Sequence, residues 1–322
     1  MVEQKLSDYA YYRTGGQCQA LYEPKDINEL SSIVRQLYES KTPYFVLGGG
    51  TNSLVWDDYY PGAVILFTKM KKIVREGYEF ICEAGVENTT IAEAGLKASM
   101  SGVSWMNRLP GQIGATVRMN ARCYEGEISH VVSLVRAVLF DGSIVNYTPL
   151  DGIFRGYKDT LFMDNGAIVA EVALSLTPGD RDEIEAHMKF CEDDRVRKEQ
   201  FTYPTCGCVF KNNYDVGISS GMLLEYADAK KLNAKNVALN PKHSNFVYNK
   251  GASSREILEF TFEMRELVFQ KFGVWLKYEM EILGQLDVEL QYRLLEDRPT
   301  QVKAEEVGPL REVFLAKQRK GV

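Results

Sequence analysis

Apolar residues recur at helical spacing through Ile27, Leu30, Ile33, Val34 and Leu37, behind a capping-box-like start at Asp26-Ile-Asn-Glu29. A short apolar run, Tyr44 to Leu47, reads as a strand that enters Gly48, Gly49, Gly50, Thr51 and Asn52. Ala63–Leu66 and Tyr78–Cys82 also read as strands, and a helix begins near Thr90 and reaches about Ser99. Residues 131–147 alternate about Asp141-Gly142, which predicts a hairpin. Ala167–Leu176 is a further strand, and 181–198 an amphipathic helix with Ile184, Met188, Cys191 and Arg195 on one side. Tyr203 to Cys208 reads as a strand or a turn. Ser253 caps a long helix carrying Ile257, Phe260, Met264, Leu267 and Val268, and Gly273 is its expected left-handed terminator.

Helices and strands mix without strict alternation, so the fold class is α+β, with a composition break near 199–205. The last 38 residues, after Gly284, are charged and hold Pro299 and Pro309; they read as a helix–turn–helix tail or as partly disordered. At 322 residues the chain has room for roughly two domains. With 45% hydrophobic and 25% charged residues it is no collagen, coiled-coil rod or disordered chain. The net charge of −6 argues against nucleic acid as a partner. No signal peptide is expected at the N-terminus, and no apolar run is long enough for membrane insertion. Among six cysteines only Cys206 and Cys208 lie close, with no CxxC pair, which suits a reducing cytoplasm. His130, His187 and His243 have no ligand spacing, so no metal is expected. Lys69, Lys71, Lys72 and Arg75, like Lys317, Arg319 and Lys320, read as solvated faces.

Two glycine-rich stretches carry the candidate chemistry. Gly48, Gly49 and Gly50, with Thr51, Asn52 and Ser53 as side-chain donors, follow a strand and could bring backbone N–H groups to a phosphate. The pattern is not GxGxxG and no helix obviously follows, so this is no Rossmann fingerprint; a plain tight turn is the alternative. A second stretch, Leu109 to Gly126, lies about 60 residues on, with Pro110, Gly111, Ile113 and Gly114 as its candidate cofactor contacts.

The ordered set of motifs resembles the bacterial UDP-N-acetylenolpyruvoylglucosamine reductases (UDP-N-acetylmuramate dehydrogenases, the MurB family). LGGGTNSLV (47–55) resembles their LGGGSNLLV flavin loop, and LPGQIGATVRMNARCYEGEI (109–128) their IPGTVGGAVxMNAGAYGGEI stretch. GYKDTLF (156–162), CGCVFKN (206–212) with Lys242-His-Ser-Asn-Phe246, and GVWLKYEMEILG (273–284) resemble later family signatures in the same order. Each motif alone is weak; together they span most of the chain.

The resemblance implies a vanillyl-alcohol-oxidase-like, two-subdomain FAD-binding domain (1–200, divided at about 72 and 73) and a smaller α+β substrate-binding domain (201–272). Residues 273–284 would return to the first domain, and 285–322 would be a C-terminal extension. Only 50 residues separate Lys158 from Cys208, which resembles the subclass without the extra substrate-covering loop. The implied cofactors are FAD, non-covalent because no His follows Gly15-Gly16 or the triple glycine, and NADPH as hydride source. The implied partner is a UDP-sugar substrate; a monomer is the default. Cys208 stands where the family has its proton-donating Ser, and a thiol is the stronger acid. Lys158 stands where the family has Arg; it keeps the charge without the planar fork, and Arg155 is a candidate to compensate. Glu279 matches the family's catalytic Glu, with Glu281 as its competitor. Tyr157, Lys211 and Asn212 match substrate-binding positions. Two rival functions are another flavin oxidoreductase of the same fold and a non-catalytic sugar-nucleotide-binding paralogue.

Overall fold

The computed structural model describes residues 5–319; Lys320 and the side chains of Lys317 and Arg319 lie outside the described residues. The chain forms two compact units.

One unit comprises Cys18–Gly49 and Tyr59–Arg197. Its first part is a three-stranded parallel sheet in the order Cys18–Tyr22, Tyr60–Leu66, Tyr44–Leu47. The helix Ile27–Glu39 crosses between two of these strands, as parallel pairing requires. The Asp26 carboxylate accepts from the Asn28 and Glu29 N–H groups at its start. Its apolar stripe, Ile27, Leu30, Val34 and Leu37, is buried with Ala63, Ile65 and Phe67. The second part is a five-stranded antiparallel sheet in the order Ile144–Tyr147, Val132–Val138, Ile168–Ser175, Glu79–Glu83, Ile73–Glu76. The expected hairpin is present, turning at Asp141, whose carboxylate accepts from the Ser143 N–H at 2.8 Å. The helix Arg181–Arg197 buries Ile184, Met188, Cys191 and Arg195.

The other unit comprises the stretch ending at Gln17, Gly50–Asp58, and the chain from Lys198 onward. Its centre is the antiparallel pair Val237–Asn240 and His243–Asn249 with the helices Ser220–Tyr226 and Ser254–Phe272. Ser253 and Glu256 form a complete capping box, and Gly273 ends the long helix at φ 69°. Residues 50–58 belong here through strand pairing, and 5–17 through hydrogen bonds of Tyr12. Ser53–Val55 runs parallel to Glu281–Leu283. The Tyr12 hydroxyl donates to the Val247 carbonyl, and the Asn249 amide donates to the Tyr12 carbonyl.

Residues 203–208 make no regular strand; they form bends that end in an isolated bridge between Cys208 and Phe246. The tail resolves into two helices, Val288–Leu295 and Ala304–Arg319, of which Leu290, Val307 and Leu310 are buried. Between them the chain is pinned to the end of the long helix. Gln301 N–H donates to Gly273 O at 2.7 Å and Lys303 N–H to Phe272 O at 3.0 Å. No described helix is long and apolar enough to cross a membrane.

Candidate active site

Cys208 sits on a segment clamped from both sides. On one side Val209 N–H donates to Asn245 O at 2.9 Å, and the Asn245 carboxamide takes both backbone groups of Phe210, at 3.0 and 2.8 Å. On the other side Glu279 and Met280 N–H both donate to Val209 O, at 2.8 and 3.1 Å, and Lys211 N–H donates to Lys277 O at 2.8 Å. Cys208 and Glu279, 71 positions apart in sequence (279 minus 208), thus lie on adjoining backbone. Cys208 is half-buried, whereas Cys206 beside it is fully buried. Burial chiefly, then the electrostatic influence of neighbouring Cys208 and Glu279, pushes the Cys206 thiol well above its ordinary range. Cys206 is therefore a neutral wall between Tyr12 and the two candidate acids.

Gly50 to Ser53 of the glycine loop belong to the same unit. The Asn52 carboxamide donates to Glu279 O at 2.9 Å, and Glu281 N–H donates to Asn52 O at 2.9 Å. Asn52 thus ties the loop to the segment bearing Glu279. Gly50 lies at φ 62° and a Cβ on it would come within 2.7 Å of Ala10 Cα, so only glycine passes here. Thr51 O is 3.9 Å from the Cβ position of Gly207. Ser53 opens the strand that pairs with Glu281. Asn212 Oδ1 accepts from Ser220 N–H at 2.9 Å, and the Lys211 carbonyl accepts from the Ser220 hydroxyl at 2.5 Å. These two residues secure the helix Ser220–Tyr226.

In the other unit Lys158 occupies the turn between Phe154–Gly156 and Asp159–Thr160 at φ 53°. It is only 8% exposed, so it is no solvated surface lysine; its Nζ lies 3.9 Å from Met119 Sδ. The Asn120 amide fixes the turn, donating to Gly156 O at 3.0 Å and to Glu127 at 2.7 Å. The Arg122 guanidinium covers the Tyr157 ring at 4.2 Å. Arg155 does not compensate for the missing fork. It is taken up at the surface by Asp159, Asp164 and the Thr160 carbonyl.

The second glycine stretch is held by strand ends. Ile113 N–H donates to Val86 O at 2.9 Å and Gly114 N–H to Ala84 O at 3.0 Å, so both hold the turn rather than face a ligand as donors. Gly114 packs so tightly that a Cβ would approach Ala84 Cβ to 2.8 Å. Pro110 and Gly111, the latter at φ 123°, form the bend before them. Gln112 Oε1 is buried without a hydrogen-bond partner, and it stands 3.4 Å from the Cβ position of Gly48. Asn88 Nδ2 and Asn120 Oδ1 in the same unit are likewise buried without partners. Buried polar atoms of this kind call for a ligand partner. A ligand rich in hydroxyl and phosphate groups matches them, and a side chain at Gly48 would fill the space beside Gln112, so the residues fit a flavin dinucleotide. No group of His, Cys, Asp and Glu that could hold a metal occurs among the described residues.

Sequence reasoning missed Asn245, Asn249 and Tyr12, whose hydrogen bonds hold the Cys208 segment and its surroundings. Asn245 stood inside the quoted KHSNF signature; Tyr12 carried no signal.

Comparison with known proteins defines the class first. Residues 18–148 match an FAD binding domain, and 199–283 match the C-terminal domain of UDP-N-acetylenolpyruvoylglucosamine reductase. This is the make-up of a flavin-dependent reductase. The chain is 31% identical over 284 residues to UDP-N-acetylenolpyruvoylglucosamine reductase of Clostridium perfringens, covering 88% of this chain and 92% of the relative. The Clostridium novyi reductase is 30% identical over 281 residues, covering 87% and 91%. The crystal structure of the Thermus caldophilus enzyme superposes with a TM-score of 0.73 at 29% identity, over 87% of this chain and 98% of that one. The chain belongs to the UDP-N-acetylenolpyruvoylglucosamine reductase family.

Proposed function

We propose that this chain reduces UDP-N-acetylglucosamine enolpyruvate to UDP-N-acetylmuramate, with non-covalent FAD as cofactor and NADPH as reductant, in cytoplasmic peptidoglycan precursor synthesis. The observation that carries the reading is the shared backbone clamp of Cys208 and Glu279 within a family-matching domain. Reducing an enolpyruvyl ether needs a hydride at the terminal vinyl carbon and a proton at the inner one. Bound FAD would supply the hydride. The Cys208 thiol gives its proton to the inner carbon. Charge that develops on the substrate carboxylate is met by the Lys158 ammonium, a point charge held rigidly by its turn. Glu279 polarises the reacting carbon frame from the neighbouring strand. Tyr157, Lys211 and Asn212 line the nucleotide, and Gly48 to Ser53 with Pro110 to Gly114 cradle the cofactor.

The test is NADPH oxidation that depends on the enolpyruvyl substrate and follows ping-pong kinetics. Cys208→Ala should abolish vinyl reduction while NADPH still bleaches the flavin. Flavin binding without substrate-dependent turnover would replace this reading with a binding role.

A further inference from the structure

Three arginines and two aromatic rings enclose a cavity of about 360 Å³ between the long helix Ser254–Phe272 and the C-terminal extension. Two of the arginines, Arg293 and Arg298, lie beyond residue 283, where the family's C-terminal domain match ends. The guanidinium groups lie over the rings. Arg265 is 4.1 Å and Arg298 4.4 Å from the Trp275 ring centre, and Arg293 is 4.3 Å from that of Phe262. A guanidinium held over a ring keeps N–H groups that can act as forks for oxyanions. Arg298 is satisfied by Glu266 at 2.9 Å and Glu296 at 2.8 Å. Neither Arg265 nor Arg293 makes an ion pair among the described residues.

Arg265 is the telling residue. It is 3% exposed, it spends one nitrogen on Arg293 O at 2.6 Å, and its Nε–H is buried without an acceptor. An unmet buried donor on a cation is costly unless a partner arrives. Burial first, and the neighbouring Arg298 and Arg293, disfavour its charged form.

We propose that this cavity binds a small organic monocarboxylate, its carboxylate on Arg265 and Arg293 and its apolar body against Leu232 and Leu267. A volume of about 360 Å³ sits near the lower end of small-molecule sites, which run from roughly 300 Å³ upward. Glu263, Glu266 and Glu296 also line the wall, and they disfavour a dianion such as phosphate. The site owes nothing to the reductase chemistry proposed above. It exists only because the extension folds back on the helix.

Isothermal titration of the full-length, FAD-loaded protein tests it with three probes: benzoate, its neutral analogue benzamide, and inorganic phosphate. Saturable benzoate binding is expected, at least tenfold weaker for benzamide, with no saturable phosphate heat. Arg293→Gln, at a half-buried position, should weaken benzoate at least tenfold while the flavin spectrum is unchanged; Arg265→Lys should do the same. The proposal falls if benzoate gives no saturable heat or if phosphate competes equally. It also falls if Arg293→Gln and Arg265→Lys leave benzoate binding intact, which would place the probe elsewhere.

Discussion

Replacing Asn245 by Leu tests whether one buried carboxamide holds the Cys208 segment in place. Asn245 is 2% exposed and Phe210 1%, so water cannot stand in for what is lost. The substitution keeps the volume nearly constant but strands one N–H and one C=O of Phe210, now bonded at 3.0 and 2.8 Å. Each buried group left unsatisfied costs about 1–3 kcal/mol, so the sum is roughly 2–6 kcal/mol. That is a large share of the roughly 5–15 kcal/mol that stabilises a folded protein. Asn245→Asp keeps the acceptor for Phe210 N–H but loses the donor and buries a charge against Phe210 O, so it should be at least as destabilised as Asn245→Leu. Urea unfolding of the flavin-loaded protein reads the stability, and steady-state assays read the chemistry. Vinyl reduction should fall in both variants, whereas flavin reduction by NADPH should not. If Asn245→Leu lies within about 0.5 kcal/mol of wild type, the range of ordinary surface changes, and turns over normally, the clamp argument is refuted.

Two further outcomes follow from the same geometry. Burial pushes the Cys82 thiol from 9.0 to about 12, so the folded protein keeps a proton that the unfolded chain releases. Its contribution is intact below pH 9.0 and is lost as pH rises toward about 12, at about 1.4 kcal/mol per unit. Cys82→Val should flatten the fall in unfolding free energy over that window by this slope, and equal slopes in urea titrations would contradict the burial argument. Arg155→Ala should leave kcat unchanged, because its guanidinium is held by Asp159 and Asp164, whereas Lys158→Ala should lower it; a large loss in Arg155→Ala would assign the carboxylate contact to Arg155 instead.

Local physics made much of this protein legible from its sequence. The 3.6-residue stripe of Ile27 to Leu37, the Ser253–Glu256 box and the Gly273 stop are rules that act within a few residues, and each appears where the pattern put it. The ordered motifs likewise named the family, because they record chemistry that a single chain must keep in order. The tertiary structure alone decided three other matters. The tail read as a helix–turn–helix or as partly disordered, and the first holds because Leu290, Val307 and Leu310 find buried surface in the core that includes the long helix. The motif marked Lys158 as a candidate but could not show its burial, which comes from a left-handed turn held by Asn120. The pairing of Ser53–Val55 with Glu281–Leu283, which brings Asn52 to Glu279, joins segments more than 200 residues apart. Strand partners at that distance are chosen by the energy of the whole packed core, and no local spacing encodes that choice.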